Sequence, residues 1–156
     1  KNGGFIGYDW RNPEKAVFAC RRGTNTKTPF YGDVSGCDYT QCFYFHNQAA
    51  RLYVTECVID ALSVMTLKKE QRKDFDYLAL AGVGKADCIS TYLERSWKEI
   101  WIGMDHDDPG RAGAEILKTV IRDRQPETKL VLDLPETVGM DWNQVLQGRT
   151  GSRGRG

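Results

Sequence analysis

Three acidic residues follow two apolar segments of the chain, at a spacing that suits metal-dependent phosphate chemistry. Glu56 comes directly after residues 52–55, and Asp105 and Asp107 follow residues 100–104. Because neighbouring carboxylates repel each other, both stay ionised only where a cation lies between them or solvent screens them. Oxygen ligands favour Mg²⁺ or Mn²⁺, which prefer carboxylate and water and can bridge to phosphate oxygens. The pattern therefore predicts a divalent-cation site.

Further residues are candidates for the same site. Asp60 lies about one turn into a helix predicted to begin near Cys57, close to the same rim. Gly110 allows a tight turn, and a helix start near residues 110–111 would offer free backbone N–H groups to a phosphate, with Arg111 as a charged donor. Each feature also has an ordinary interpretation. An isolated Asp-x-Asp usually marks a solvated loop or a helix cap, and Asp60 suits a structural ion pair equally well.

The centre of the chain alternates short apolar runs with segments of helical spacing. Strands are predicted at residues 52–55, 77–81, 99–104 and 129–133, and helices at 57–69, 86–95, 108–124 and 142–146. This order predicts an α/β fold, with a parallel sheet flanked by helices. Functional residues in such sheets gather beyond the carboxyl ends of the strands, where the three carboxylates stand. Alternation at a strand end also directs Asp105 and Asp107 to one side and His106 to the other.

The two ends of the chain differ from this central domain, which we place at residues 52–147. Residues 1–51 predict an N-terminal antiparallel β extension, with strands near residues 5–10, 16–20 and 42–46 and mostly loop over 23–40. Residues 148–156 contain chiefly Gly, Arg and Ser, a composition that predicts a disordered basic tail. The first residue is not Met, which suggests a fragment of a longer protein.

Composition and charge restrict the class of protein. Hydrophobic residues make up 40% of the chain and charged residues 28%, as in ordinary globular proteins. No apolar run approaches the roughly 18 residues that a membrane helix requires, and the composition of the first residues does not predict a secretory signal. The net charge is +1, with a surplus of +3 at each end and −5 over residues 52–148. An acidic centre between basic ends suits a cation site acting on a polyanion, although chance produces such unevenness equally often.

The five cysteines do not form a zinc-binding pattern. Their number is odd, and no two are spaced as Cys-x-x-Cys. Free thiols in a reducing cytoplasm are the simplest interpretation.

The ordered combination of motifs resembles the Toprim domain, which is shared by bacterial primases, type IA and type II topoisomerases, OLD-family nucleases and RecR-type recombination proteins. Its signature is a Glu after the first strand and Asp-x-Asp after the third, matched here by Glu56 and by Asp105 and Asp107. Residues 81–84 match the glycine turn after the second strand. Residues 140–146 are similar to a late Lys-Asp-Trp-Asn element, with Met in place of Lys.

Other segments are similar to a primase-like subgroup found in plasmids and conjugative transposons. These are residues 21–24, 32–36 and 59–63. Proteins of that subgroup usually carry a zinc-ribbon segment ahead of this region. The similarity breaks after Gly36, where Cys37 and Tyr39 stand in place of the usual Ser and Lys.

The resemblance implies a metal-dependent Toprim module of a primase-like mobile-element protein that transfers nucleotides on DNA or RNA. It implies that Asp105 and Asp107 hold Mg²⁺ or Mn²⁺, that Glu56 binds metal or acts as general acid or base, and that Asp60 supports the metal. Expected partners are DNA or RNA, nucleoside triphosphates, and further domains such as a zinc ribbon, a helicase or a relaxase.

Six residues are candidate phosphate or nucleic-acid contacts, and each also has an ordinary role as a surface charge or turn glycine: Arg21, Arg22, Gly82, Lys85, Gly110 and Arg111. Two alternative functions remain open, and only the first of them would use the same carboxylates. One is a Toprim nuclease or nicking module, and the other is a non-catalytic module that binds nucleic acid and organises assembly.

Overall fold

The computed structural model describes residues 2–23, 27–28 and 30–151, which form two β-sheets connected and flanked by helices. The N-terminal sheet is antiparallel and has the strand order β1-β2-β3. Its strands are β1 (Asn2–Tyr8), β2 (Ala16–Gly23) and β3 (Tyr31–Asp33). The short strand β3 lies in a segment that was expected to be mostly loop.

The main sheet has five strands in the order β4-β6-β5-β7-β8. They are β4 (Phe43–Phe45), β5 (Arg51–Thr55), β6 (Asp76–Ala79), β7 (Glu99–Gly103) and β8 (Lys129–Leu132). Strands β5 to β8 run parallel, and β4 pairs with β6 in the antiparallel sense. The predicted α/β fold with an antiparallel N-terminal sheet is therefore confirmed, and strand β4 joins the main sheet.

Helices connect the parallel strands. The α-helices of the described residues are α1 (Val58–Lys68), α2 (Ile89–Tyr92), α3 (Asp108–Arg124) and α4 (Trp142–Gly151). Short 3₁₀ segments cover Lys69–Asp74 and Val83–Cys88. The helix predicted over residues 86–95 is thus divided, because its first residues belong to the 3₁₀ segment that ends at Cys88 and only one turn of α-helix follows before the C-cap at Leu93.

The last helix reaches into the segment predicted as a tail. Helix α4 was expected to end at residue 146 but continues to Gly151, and residues 152–156 lie outside the described chain. No helix among the described residues has both the length and the apolar character that crossing a membrane requires.

Alternation along the parallel strands divides the core between the two faces of the main sheet. Leu52 and Val54 of β5 face one side, where residues of α2 and α3 such as Ile89 and Leu117 complete a buried cluster. Tyr53 faces the other side, where α1, α4 and neighbouring aromatic rings cover it. Both faces of the strands are therefore buried, which explains their nearly continuous apolar sequences.

The N-terminal sheet packs against the beginning of α1. Val17, Phe18 and Cys20 of β2 are buried in one cluster with Val58 and Ala61 of that helix. This contact brings the N-terminal sheet to the carboxyl edge of the main sheet, where the acidic residues lie.

Candidate metal centre

Strand order and register bring Glu56 and Asp105 together. Strands β5 and β7 are neighbours in the sheet, and Thr55 pairs with Gly103 at their carboxyl ends. Glu56 and the loop after β7 consequently leave the sheet at the same point. The backbone N–H of Asp105 donates to Oε1 of Glu56 over 3.2 Å, although 49 positions separate them in the chain.

Asp105 lies in an environment that disfavours its negative charge. Its Oδ1 atom is buried and finds no hydrogen-bond partner among the described residues. Burial, followed by the charges of neighbouring carboxylates, raises the pKa of Asp105 to about 8. Those neighbours are Asp60, Glu56, Asp141 and Asp107. Burial also raises the pKa of Glu56, and the negative charges of Asp107 and Asp60 raise it further.

Asp107 has a structural role in addition to its place in the acidic cluster. The acidic cluster consists of Glu56, Asp60, Asp105, Asp107 and Asp141. Asp107 is the N-cap of α3, and its Oδ1 accepts the backbone N–H of Gly110 over 2.8 Å. The N–H of Arg111 donates to the carbonyl oxygen of Asp107. The N–H groups of Gly110 and Arg111, which were expected to be free for a phosphate, are therefore already used, because the side chain and the carbonyl oxygen of Asp107 accept them.

Gly110 is required by the close approach of the two carboxylate-bearing segments. A β-carbon at this position would overlap the carbonyl oxygen of Asp105 and would lie 2.8 Å from Oε1 of Glu56. The first turn of α3 can consequently pack directly on the acidic cluster only with a glycine here.

Asp60 projects from the first turn of α1 and is only 4% exposed. Its Oδ2 accepts a hydrogen bond from the Cys57 thiol over 2.9 Å. Burial is the largest cause that raises the pKa of Asp60, and the charge of Asp141 adds to it, while Arg22 acts in the opposite direction. Asp60 is thus an inward-facing member of the acidic cluster.

Asp141 is a further acidic neighbour that the sequence did not identify as a site residue. It directly precedes α4, and its Oδ1 accepts the N–H of Gln144 over 2.6 Å. Its charge raises the pKa of both Asp60 and Asp105. The late motif at residues 140–146 was the available signal, but its Asp had been considered only as part of a family pattern.

His106 points away from the acidic cluster, as alternation had predicted. Its Nδ1 lies 2.7 Å from the carbonyl oxygen of Pro135. The backbone of His106 also pairs with the segment before α4, through Met140 and Gly139.

The candidate basic and glycine contacts occupy different positions around the cluster. Gly82 has φ of +94° and donates its N–H to the carbonyl oxygen of Glu56, so the glycine turn touches the site. The Lys85 ammonium lies 4.3 Å from the centre of the Tyr39 ring, and Arg111 pairs with Asp108 at the surface.

Arg21 and Arg22 point in opposite directions because they are consecutive residues of β2. The guanidinium of Arg21 lies over the Phe30 ring, and that of Arg22 lies over Tyr31. The charge of Arg22 lowers the pKa of Asp60, and its side chain lines one crevice with Cys57 and Val58 at the start of α1. It is therefore the arginine on the side of the acidic cluster.

The donor set suits a hard divalent cation, although it is not a closed cage. Among the described residues, no group of three or more His, Cys, Asp or Glu side chains already has a metal-holding arrangement. One oxygen each of Glu56 and Asp107 is occupied by a backbone N–H. Asp105 nevertheless keeps a buried oxygen without a partner. A buried, crowded carboxylate of this kind is stabilised by a cation, and oxygen donors select Mg²⁺ or Mn²⁺.

Comparison with known proteins agrees with this fold. A family model described as Toprim-like matches residues 53–146. No curated protein sequence matches the chain.

Solved structures of primase domains have the same fold. A DNA primase domain from Pseudomonas aeruginosa aligns over 97% of this chain and 49% of its own, with 16% identity and a TM-score of 0.65. The DnaG catalytic core aligns over 99% of this chain and 51% of its own, with 18% identity and a TM-score of 0.64. The zinc-binding and RNA polymerase domains of the Aquifex aeolicus primase align over 97% and 38%, with 16% identity and a TM-score of 0.60. The chain therefore spans about half or less of each of these structures.

Proposed function

Because the chain belongs to the Toprim-like family, we propose that it is the metal-dependent Toprim module of a primase-like protein and transfers nucleotides to a growing nucleic-acid strand. The observation that carries this proposal is the state of Asp105. It is crowded by four other carboxylates and keeps one buried oxygen without a hydrogen bond among the described residues. Such an arrangement is costly in a purely structural role and is typical of functional sites.

In this proposal Glu56, Asp60, Asp105 and Asp107 hold the cation. A divalent cation bound there would neutralise charge on phosphate oxygens during an in-line displacement. Glu56 also acts as general base or acid, since its raised pKa brings proton transfer closer to neutral pH. Its backbone contact with Asp105 fixes the distance between the proton-accepting carboxylate and the metal-holding loop.

The surrounding basic residues bind the nucleic acid and the incoming nucleotide. Arg22 lies on the side of Asp60, and Arg21 extends the same strand. Lys85 lies in the 3₁₀ segment that follows β6, and Arg111 lies in the first turn of α3. Gly82 and Gly110 allow the backbone to approach closely. Together these residues would hold phosphates next to the carboxylates.

The biological setting that we propose is a plasmid or conjugative-transposon protein acting on DNA in the cytoplasm. The similarity of residues 21–24, 32–36 and 59–63 to proteins of such elements supports it. Since the chain spans about half of the solved primase structures, further domains are expected to contribute to activity. A zinc ribbon, a helicase or a relaxase would suit that role.

Metal binding is the first test, because it does not require the rest of a longer protein. We expect calorimetric titration with Mn²⁺ to detect binding to the wild-type chain and its loss in the double variant Asp105→Asn, Asp107→Asn. Equal binding by both proteins, or none by the wild type, would overturn the metal-dependent function. The second outcome would favour the non-catalytic assembly module.

Activity then separates the two enzymatic possibilities. The protein is incubated with single-stranded DNA, labelled nucleoside triphosphates and Mg²⁺, and a parallel reaction contains an end-labelled strand. Primer synthesis that requires Asp105 supports the proposal. Cleavage of the labelled strand without synthesis would instead identify a nuclease or nicking module.

A further inference from the structure

We propose that His106 is a positioning residue that fixes Asp141 beside Asp105. This inference rests on the proposed function, because it concerns the geometry of the same acidic cluster. His106 stands between the two aspartates of the Asp-x-Asp motif, yet its side chain faces away from them. It joins the loop after β7 to the segment before α4.

Three hydrogen bonds form this connection. The N–H of His106 donates to the carbonyl oxygen of Met140 over 3.0 Å, and the N–H of Gly139 donates to the carbonyl oxygen of His106 over 2.6 Å. These two bonds pair the backbones of the two segments. The third joins Nδ1 of His106 to the carbonyl oxygen of Pro135 over 2.7 Å. Since a carbonyl oxygen only accepts, Nδ1 carries the hydrogen.

Within the part of the chain that the structure describes, the connected segment buries little surface that could hold it in place. Residues 136–140 are all exposed, and Val138 is 67% exposed. Burial of apolar surface therefore contributes little to their position, and hydrogen bonds have a correspondingly larger influence. Gly139 has φ of +84°, a backbone conformation that suits the tight turn facing His106.

Asp141 follows this segment immediately and depends on its position. The anchor on the other side of Asp141 is Trp142, whose indole N–H donates to the carbonyl oxygen of Gly103 over 3.0 Å. His106 and Trp142 thus attach the chain on both sides of Asp141 to the loop and strand that carry Asp105. In this position the negative charge of Asp141 raises the pKa of Asp60 and of Asp105. The middle residue of the motif consequently connects two acidic segments.

The test compares Mn²⁺ binding by single and double variants. His106→Ala removes the bond to Pro135 and is expected to weaken binding roughly three- to tenfold, the range expected for one hydrogen bond. His106→Asn, which keeps an N–H donor, should restore affinity to within about twofold of the wild type. His46→Ala is the matched control, because His46 is the other histidine and contacts Asp76 rather than the cluster.

Non-additivity distinguishes positioning from a general loss of structure. If His106 acts through Asp141, the double variant His106→Ala, Asp141→Asn should bind Mn²⁺ no more weakly than Asp141→Asn alone. Additive losses, or wild-type affinity in His106→Ala, would overturn the inference while leaving the proposed function intact.

Amide hydrogen exchange gives a readout that needs no metal. His106→Ala should accelerate exchange at Gly139 and at position 106, whose N–H groups form the backbone pair. The amide of Gly110, which bonds to Asp107, should remain unchanged. Unchanged exchange at Gly139 and position 106 would overturn the inference even if the wild-type chain bound no Mn²⁺ and the proposed function failed.

Discussion

At the scale of single residues, the carboxyl group of Asp105 determines how the site responds to pH. Its raised folded-state pKa of about 8 means that the folded protein binds the proton more tightly than the unfolded chain, where the value is 3.8. The stability that this tighter proton binding contributes is fully present below the pKa of the unfolded chain. It is lost as the pH rises through the pKa of the folded protein. The metal-free protein should therefore lose stability between about pH 4 and pH 8.

Asp105→Asn tests this linkage. The neutral side chain cannot acquire the unfavourable charge, so we expect the metal-free variant to melt roughly 2–4 °C above the wild type at pH 8.5 and to lose that advantage at pH 5. Thermal unfolding in the presence of a chelator measures the difference. The exposed carboxyl of Asp123 on α3 supplies the control variant, Asp123→Asn. A constant difference between the two pH values would contradict the raised pKa.

At the scale of elements, helix α3 and the Asp-x-Asp loop share Asp107. The same carboxylate belongs to the acidic cluster and caps the helix that follows. The first turn of α3 also lies against the cluster through Gly110. Asp107 is thus expected to contribute both to the stability of α3 and to metal binding. Different substitutions of this residue can separate the two contributions.

Two substitutions of Asp107 separate the charge from the cap. Asp107→Asn keeps an oxygen that accepts the Gly110 N–H, so it should weaken Mn²⁺ binding with little change in Tm. Asp107→Ala removes both functions and should cost about 1 kcal/mol in addition, which lowers Tm by roughly 2–4 °C. Calorimetry and thermal unfolding measure the two effects. Equal Tm values for the two variants would show that the cap contributes nothing.

Gly110→Ala tests the close approach of α3. Helix propensity alone would make alanine stabilising by roughly 1 kcal/mol, but the added methyl group would overlap the Asp105 carbonyl oxygen. We therefore expect a lower Tm and weaker Mn²⁺ binding. Gly148→Ala in α4 is the matched control, since a β-carbon there has nothing within 4 Å, and it should leave metal affinity unchanged. Stabilisation by both substitutions would contradict the packing of α3 on the cluster.

At the scale of the whole molecule, two sheets from distant parts of the chain meet beside the carboxylates. The N-terminal sheet packs on the start of α1, the helix that carries Asp60. This packing places Arg22 beside an acidic centre. A cation site next to a basic strand is the charge pattern that attracts a polyanion. The binding surface that we propose therefore includes residues of both sheets.

Arg22→Ala measures the contribution of the N-terminal sheet to nucleic-acid binding. Loss of one phosphate contact should weaken the binding of a single-stranded oligonucleotide and reduce its salt dependence, with the logarithmic slope falling by about 0.7. Fluorescence anisotropy over a salt series measures both quantities. Arg124→Ala, at the opposite end of α3, makes the same charge change and should have little effect. Equal losses for the two variants would indicate a non-specific charge effect.

The sequence alone determined the features that depend on local pattern. Apolar runs followed directly by Glu56 or Asp105 predicted parallel strands with acidic carboxyl ends, because burial on both faces and the extended backbone are properties of a few consecutive residues. The same reasoning located α3 and turned His106 away from the aspartates. These expectations required no knowledge of distant contacts.

Only the tertiary structure decided which distant residues meet. The pairing of β4 with β6, the approach of Asp141 to Asp105 and the separation of Arg22 from Arg21 depend on strand order and on packing between sheets. Such contacts join residues far apart in the chain and leave no periodic signal in either segment. The use of the Gly110 N–H follows from the rotamer of Asp107, whose side chain turns back to cap α3, and the spacing of residues does not fix that rotamer.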